Sequence, residues 1–323
     1  MNCVLVFPLS VCGEEAGGEV RKHDSNWLYH LLIHHSLRLH YGVTFARATM
    51  RGMNPRELLN AWHIEPKKGL GQNFLHDPNA LARIASSADI GPGDTVVEIG
   101  PGTGALTEVL ARQAARVIAI ELDDRLEPLL EARFGASDNV RFVFDDILKT
   151  DVGKLTGGAP YLVVANVPYY ITGAILRHLF ESQPRPTRMV ITMQLEVAEK
   201  LVAKPGDLSL IGVSAQFYSK PRIVTKFPPA VFYPRPEVGS AVVRFDVFAV
   251  PPVQVPSEAA FFAVARAGFS QKRKQLRNAL AGGLALTSDE ALALCARAGI
   301  DPQRRAETLT LDEWGALARA YAG

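Results

Sequence analysis

Val96-Val97-Glu98-Ile99-Gly100-Pro101-Gly102-Thr103-Gly104 is the stretch on which the fold turns. An apolar, strand-forming run feeds into glycines at three alternate positions, and a helical pattern follows from Ala105. The order is strand, tight turn, helix start. Glycine at such a turn permits backbone angles closed to other residues and lets a ligand lie against the main chain. The spacing is G-x-G-x-G, not the G-x-G-x-x-G of dinucleotide folds, and Glu98 sits on the strand just before it. On its own the turn fits either a nucleotide-like cofactor or a purely structural bend.

Outward from it, residues 94–193 alternate strands and helices, the pattern of an α/β fold with a parallel sheet covered on both faces. Strands are predicted at 95–99, 116–121, 140–144, 161–166 and 188–193. Polar residues cluster at their C-terminal ends: Glu121 after the second, Asp145 and Asp146 after the third, Asn166 after the fourth. In open α/β sheets ligands bind at that edge. Each residue alone is equally well a loop or cap residue; together they occupy equivalent topological positions.

Chemistry follows from these positions. Glu121, nineteen residues after Gly102, can accept both hydroxyls of a ribose. Asp146 is an acceptor suited to the exocyclic amino group of an adenine. An adenosine-containing cofactor is implied, and NAD and S-adenosylmethionine both contain one. Asn166-Val167-Pro168-Tyr169-Tyr170 separates them. Adenine's amino group is planar, with a delocalised lone pair, so a methyl acceptor of this kind has to be held in line with its donor. The Asn166 side-chain oxygen and the Val167 carbonyl can accept its two N–H bonds, Pro168 stiffens the backbone, and Tyr169 can stack on the ring. No strong base is needed, because the amine becomes acidic once methylated. The alternative reading of this segment is a turn with a surface tyrosine.

At 323 residues, 48% hydrophobic and 21% charged, the composition is that of an ordinary globular protein with room for two domains. A net charge of +2 is compatible with a nucleic-acid partner without demanding one. Cys3, Cys12 and Cys295 are too few and too scattered for a disulfide framework or zinc site, which fits a reducing cytoplasm. No stretch approaches the roughly twenty apolar residues of a membrane span. Residues 1–52 are unlike the rest. They hold five of the eight histidines but no clear amphipathic repeat, and match neither a secretory signal nor a transit peptide. His30, His34 and His35 have helical spacing without a carboxylate or thiol partner, so no metal is expected. The expectation is a poorly ordered extension, or sequence upstream of a start at Met50 or Met53.

Asn54 and Pro55 open a short helix. A basic glycine-containing loop follows, Lys67-Lys68-Gly69-Leu70-Gly71-Gln72-Asn73-Phe74-Leu75, then a helix capped by Asp77-Pro78 for which Phe74 and Leu75 can act as a hydrophobic staple. Beyond the central region, 240–247 alternates as a final strand paired antiparallel with 222–227. Between them lies a proline-stiffened loop, in which Phe232 can either cover the second face of an inserted base or anchor the loop in the core. The linker 250–256 carries three prolines. After it come helices expected at 258–269, 272–282, 288–298 and 311–321. Lys272, Arg273, Lys274 and Arg277 concentrate charge on the second of these and its leading turn, as a phosphate-binding surface or a solvated face.

Gly71-Gln72-Asn73-Phe74-Leu75, Glu98-Ile99-Gly100-Pro101-Gly102, Asn166-Val167-Pro168-Tyr169, Phe232-Tyr233-Pro234-Arg235-Pro236 and Arg273-Lys274-Gln275-Leu276-Arg277-Asn278 resemble, in the same order, the ribosomal RNA adenine N6-dimethyltransferases, the bacterial small-subunit branch above all. The resemblance runs from about residue 54 to the end. It implies a class I, Rossmann-like S-adenosylmethionine-dependent methyltransferase sheet (53–249) with a small all-helical RNA-binding domain (257–323), and residues 1–52 unassigned. It implies transfer of methyl groups to two adjacent adenines in the 3′-terminal hairpin loop of 16S rRNA, within an assembling 30S subunit, by a monomer without metal. By position, Asn73, Leu75, Gly100, Gly102, Glu121, Asp146 and Asn166 match cofactor contacts. Asn166, Val167, Pro168, Tyr169 and Phe232 match residues around the target adenine, and Lys67, Lys68, Lys272, Arg273, Lys274 and Arg277 are candidate RNA contacts. Val167 stands where leucine is usual, which matters little if its carbonyl does the work. Glu237 and Gly239 stand where lysine and aspartate are common, which puts any substrate contact there in doubt.

Three rival readings remain. The related enzymes that methylate 23S rRNA and confer macrolide resistance are disfavoured by Gly71 and by the long C-terminal region. A nucleic-acid-binding factor on the same fold would tolerate loss of the cofactor edge, which is intact here. A dehydrogenase would need G-x-G-x-x-G and a hydride-transfer acid/base.

Overall fold

Among the described residues, nine strands and the helices between them follow from where β-branched runs and turn residues fall. The computed structural model describes Met50 and residues 53–323; the expectations for 1–52, the histidine group included, otherwise lie outside the described residues. The strands are β1 Phe74–Leu75, β2 Thr95–Ile99, β3 Arg116–Glu121, β4 Val140–Phe144, β5 Leu162–Asn166, β6 Arg188–Gln194, β7 Ser219–Phe227, β8 Phe232–Tyr233 and β9 Ser240–Val247. Seven form one sheet in the order β4-β3-β2-β5-β6-β9-β7, while β1 and β8 pair in a separate two-stranded ribbon. Strands β2 to β6 are mutually parallel, and β9 runs antiparallel to both β6 and β7. The last strand in the chain is thus inserted between β6 and the edge strand β7.

Alternation along each strand divides the apolar residues between two cores. Val97, Ile99, Ile120, Val163, Ile191 and Val243 face one side with helices Thr172–Glu181, Leu195–Leu201 and Leu210–Tyr218. Val96, Val117, Val164, Val190 and Val242 face the other with helices Pro78–Ser87 and Ala105–Ala111. Helix starts follow their capping residues: Asn54 and Glu57 make a reciprocal capping box ahead of Pro55–Ala61, and Asp77 accepts the Ala80 N–H at 2.9 Å.

The chain leaves the sheet through 250–256, where Val253 is buried, and continues as helices Glu258–Phe269, Leu276–Leu284, Ser288–Ala298 and Leu311–Ala322. These share one continuous core with the sheet through Phe217, whose ring stacks on Phe261 with centroids 4.2 Å apart. Thr49–Gly323 form a single compact unit. The second of these helices begins at Leu276, four residues later than expected, so Lys272, Arg273 and Lys274 lie on the preceding turn. Cations are unfavourable at the positive end of a helix. The first free N–H groups, of Leu276 and Arg277, instead donate to the carbonyls of Arg304 (2.7 Å) and Pro302 (3.2 Å). Among the described residues no single helix is long and apolar enough to cross a membrane.

Candidate active site

The C-terminal ends of β2, β3, β4 and β5 open onto one cleft, closed on one side by the loop Leu70–Phe74 and on another by Val167–Ile171. Of the residues singled out in the sequence, Asn73, Gly100, Gly102, Glu121, Asp145, Asp146, Asn166, Val167, Pro168 and Tyr169 all line it.

The glycine turn has the geometry its spacing predicts. Gly100, Gly102 and Gly104 have φ of +70°, +57° and +82°, in the left-handed region. At Gly102 there is a second constraint, since a Cβ there would lie 2.7 Å from the Phe74 ring. The turn is also clamped by Glu121. One carboxylate oxygen accepts the Gly102 N–H at 3.0 Å, and the other accepts those of Leu122 (3.0 Å) and Asp123 (2.9 Å). Burial pushes the Glu121 carboxyl above its ordinary value, against the pull of those N–H groups. By lone-pair count Oε2 keeps one acceptor site, whereas Oε1 has filled both of its own.

Glu98 lies deeper and is almost wholly buried. Its Oε2 accepts the Thr107 hydroxyl at 2.6 Å, while Oε1 has no hydrogen-bond partner among the described residues. Burial drives its pKa up to about 8, with the Thr107 bond opposing and the Glu121 charge adding. It therefore stays protonated at neutral pH, which limits the cost of leaving one oxygen dry.

Beside Glu121, Asp123 ties the basic loop to the sheet. It accepts Gln72 Nε2 (2.7 Å) and both Arg125 Nε (2.8 Å) and Nη2 (2.6 Å), while Gln72 Oε1 accepts the Lys67 N–H at 2.7 Å. Burial alone would raise the Asp123 carboxyl; the Arg125 and Gln72 bonds outweigh it and hold it low. This network escaped the sequence reading, because Gln72 and Asp123 are 51 positions apart. Asp146 accepts the Leu148 N–H at 3.0 Å and Asp145 that of Asp146 at 2.7 Å, so the β4 turn is self-capped.

At the end of the adjoining strand β5, Asn166 donates Nδ2–H to the Asn73 carbonyl at 2.9 Å. A carbonyl can only accept, so the amide is held with its nitrogen toward Asn73 and its oxygen turned away. Val167 points its side chain into the core, leaving its backbone to the cleft. Tyr169 is fixed at both ends: its carbonyl accepts the Thr172 hydroxyl (3.2 Å) and its phenol bonds the Ser240 hydroxyl (2.6 Å). Tyr170 stands out, 62% exposed at the mouth against Gly71.

Two sequence expectations need correction. Phe232 does not line the cleft. Strand β8 pairs with β1, with Leu75 opposite Phe232, and the Phe232 ring is buried at 3% exposure among Leu75, Phe227 and Val242. In this structure it anchors the loop in the core. Phe74 and Leu75 are strand residues rather than a helix staple, and Leu75 borders a smaller cavity that shares Gly100, Gly102 and Asn166 with the cleft. Lys67 and Lys68 are exposed on the loop beside the cleft, whereas exposed Lys272, Arg273 and Lys274 and half-buried Arg277 belong to the helical segment and do not line it.

Comparison with known proteins places the chain among relatives. The model of a family described as ribosomal RNA adenine dimethylase matches residues 64–322. A ribosomal RNA small subunit methyltransferase A of Dehalococcoides mccartyi is 46% identical over 82% of this chain and 92% of its own length. The protein of the same name from Moorella thermoacetica is 47% identical over 79% of this chain and 92% of its own. Among solved structures, the 23S rRNA methyltransferase ErmE is 27% identical, with a TM-score of 0.62 over 78% of this chain and all of that one. A dimethyladenosine transferase from Plasmodium falciparum shares the fold at 22% identity, with a TM-score of 0.62 over 76% of this chain and 95% of its own.

Proposed function

This chain belongs to the ribosomal RNA adenine dimethylase family, and from that premise we propose that it transfers methyl groups from S-adenosylmethionine to the N6 atoms of two adjacent adenines in the 3′-terminal hairpin loop of 16S rRNA. The observation that carries the reading is the Asn166 amide, its nitrogen held by the Asn73 carbonyl, lining the same cleft as the Glu121-clamped glycine turn. The small-subunit substrate is favoured over the large-subunit one by identities of 46–47% to proteins named for the small subunit, against 27% to ErmE.

The residues present fit the methyl donor. Gly100 leaves main chain bare where a Cβ would stand, Glu121 offers an acceptor to a ribose hydroxyl, and Asp146 one to an exocyclic amino group. Leu122 and Ile147 border the same wall with apolar surface. When bound, S-adenosylmethionine supplies an electrophilic methyl on a sulfonium. Asn166 Oδ1 and the Val167 carbonyl accept the two N6 hydrogens and so orient the amine, Pro168 restrains that carbonyl, and Tyr169 supports the base. Catalysis is then mainly positioning and electrostatics. A proton leaves the methylated amine without any strong base.

The target adenine enters unstacked. Lys67 and Lys68 beside the mouth, and Lys272, Arg273, Lys274 and Arg277 on the helical segment 257–323, contact RNA phosphates, an interaction read in the salt dependence of binding. The enzyme acts as a monomer in the cytoplasm on an assembling 30S particle.

The test is incorporation of labelled methyl groups into undermethylated small subunits, with large subunits and free 23S rRNA in parallel and nucleoside analysis afterwards. Dimethyladenosine confined to the small-subunit RNA is the expected result. Label in 23S rRNA instead would move the substrate to the large subunit. RNA binding with no methyl transfer would make the protein a binding factor on a retained fold.

A further inference from the structure

Ser240 is the first residue of β9, wholly buried, and 71 positions from the tyrosine it touches. Strand alternation puts it on the same sheet face as Asn166. In register, Asn166 pairs with Thr192 on β6, and Gln194, two residues on, pairs with Ser240. The Ser240 hydroxyl lies 2.6 Å from the Tyr169 phenol oxygen, where either can donate. The Thr172 hydroxyl holds the other end of the residue through its carbonyl, and Thr172 is itself buried. An aromatic ring has two torsions to fix. The backbone bond restrains where the ring starts, and a bond at the para position restrains where it ends.

We propose that Ser240 is a positioning residue for methyl transfer: through the Tyr169 phenol it fixes the plane of the ring that supports the target base. This rests on the role assigned to Tyr169 above and deepens it. The phenol thereby acts as an anchor rather than as an acid or base. The antiparallel end of the sheet, which contributes no residue to the cofactor wall, becomes part of the substrate wall through this single bond. A small misplacement of a supporting group is enough to slow a reaction that depends on alignment.

A double-mutant cycle separates positioning from general stability. Wild type, Ser240→Ala, Tyr169→Phe and the double variant are compared in single-turnover methylation of small-subunit RNA and in calorimetric affinity for S-adenosylmethionine, with thermal melts as a check on folding. If Ser240 acts through the phenol, each single change slows methyl transfer about tenfold, cofactor affinity stays within about twofold, and the double variant is no slower than either single one. Losses that multiply to about a hundredfold would overturn the proposal, because Ser240 would then act independently of Tyr169. An unchanged rate in Ser240→Ala would overturn it too. Should Ser240→Ala fail to fold, a Tyr169→Phe rate equal to wild type does the same. A wild type that methylates large-subunit RNA instead would refute only the substrate reading, and the cycle is then run on that RNA. A wild type inactive on every RNA overturns both.

Discussion

The two walls of the cleft are built differently. On the β2–β4 side, functional groups are held by neighbours in sequence or by main chain: Glu121 accepts three backbone N–H groups, and the β4 aspartates cap their own turn. On the β5–β6–β9 side they are held by distant segments, Asn166 by Asn73 across 93 positions and Tyr169 by Ser240 across 71. Backbone anchoring suits a wall assigned to a cofactor that is bound in the same place at every transfer. Side-chain anchoring suits a wall assigned to a base that must be aligned for each transfer.

If this division is right, damage to the two walls should separate in kinetics. The largest effect is expected at Asn166→Ala, where methyl transfer falls by about a thousandfold or more while RNA binding stays within a few-fold. Single-turnover rates beside filter-binding measurements check this; retained activity would break the assignment of the β5 wall. Next is Gly102→Ala, which forces a side chain into left-handed backbone and against the Phe74 ring. A loss of about 2–3 kcal/mol in unfolding free energy is expected in denaturant titration.

At Glu121→Ala the expected change is in binding, with S-adenosylmethionine affinity about thirtyfold weaker by calorimetry. A rate effect without an affinity effect would merge the two walls into one. The smallest effect concerns Glu98. Its folded-state pKa of about 8 lies above its ordinary 4.5, so between those values the folded protein keeps a proton that the unfolded chain releases. Stability from this group therefore falls as pH rises through that window. Glu98→Gln cannot ionise, and its stability relative to wild type should grow by about 1.4 kcal/mol for each pH unit between pH 6 and 7.5. Parallel denaturant titrations at three pH values check the slope.

The β2–β4 wall was legible because its signals are local. Three glycines at alternate positions dictate the turn, and strand ends are marked by the first polar residue after an apolar run, so Glu121 and Asp146 could be placed from one sequence, and by the same signal Asn166 at the end of β5. Phe232 was ambiguous for the opposite reason: an aromatic in a proline-rich loop is apolar enough for a core and flat enough for a base, and only the pairing of β8 with β1 put it inside. Ser240 gave no signal at all, being a small polar residue at the start of a strand. Gln72 and Asp123 look like ordinary loop residues until the chain folds them together.

What the sequence determined by itself was the α/β sheet, the glycine turn, the polar ends of successive strands and the family to which they belong. These rest on periodicity and on backbone conformations that only certain residues adopt, and both are properties of short stretches. The tertiary structure alone decided that β9 lies between β6 and β7, that Asn73 turns the Asn166 amide, and that a buried serine restrains Tyr169. Those outcomes depend on which distant surfaces bury each other, and no local propensity encodes them.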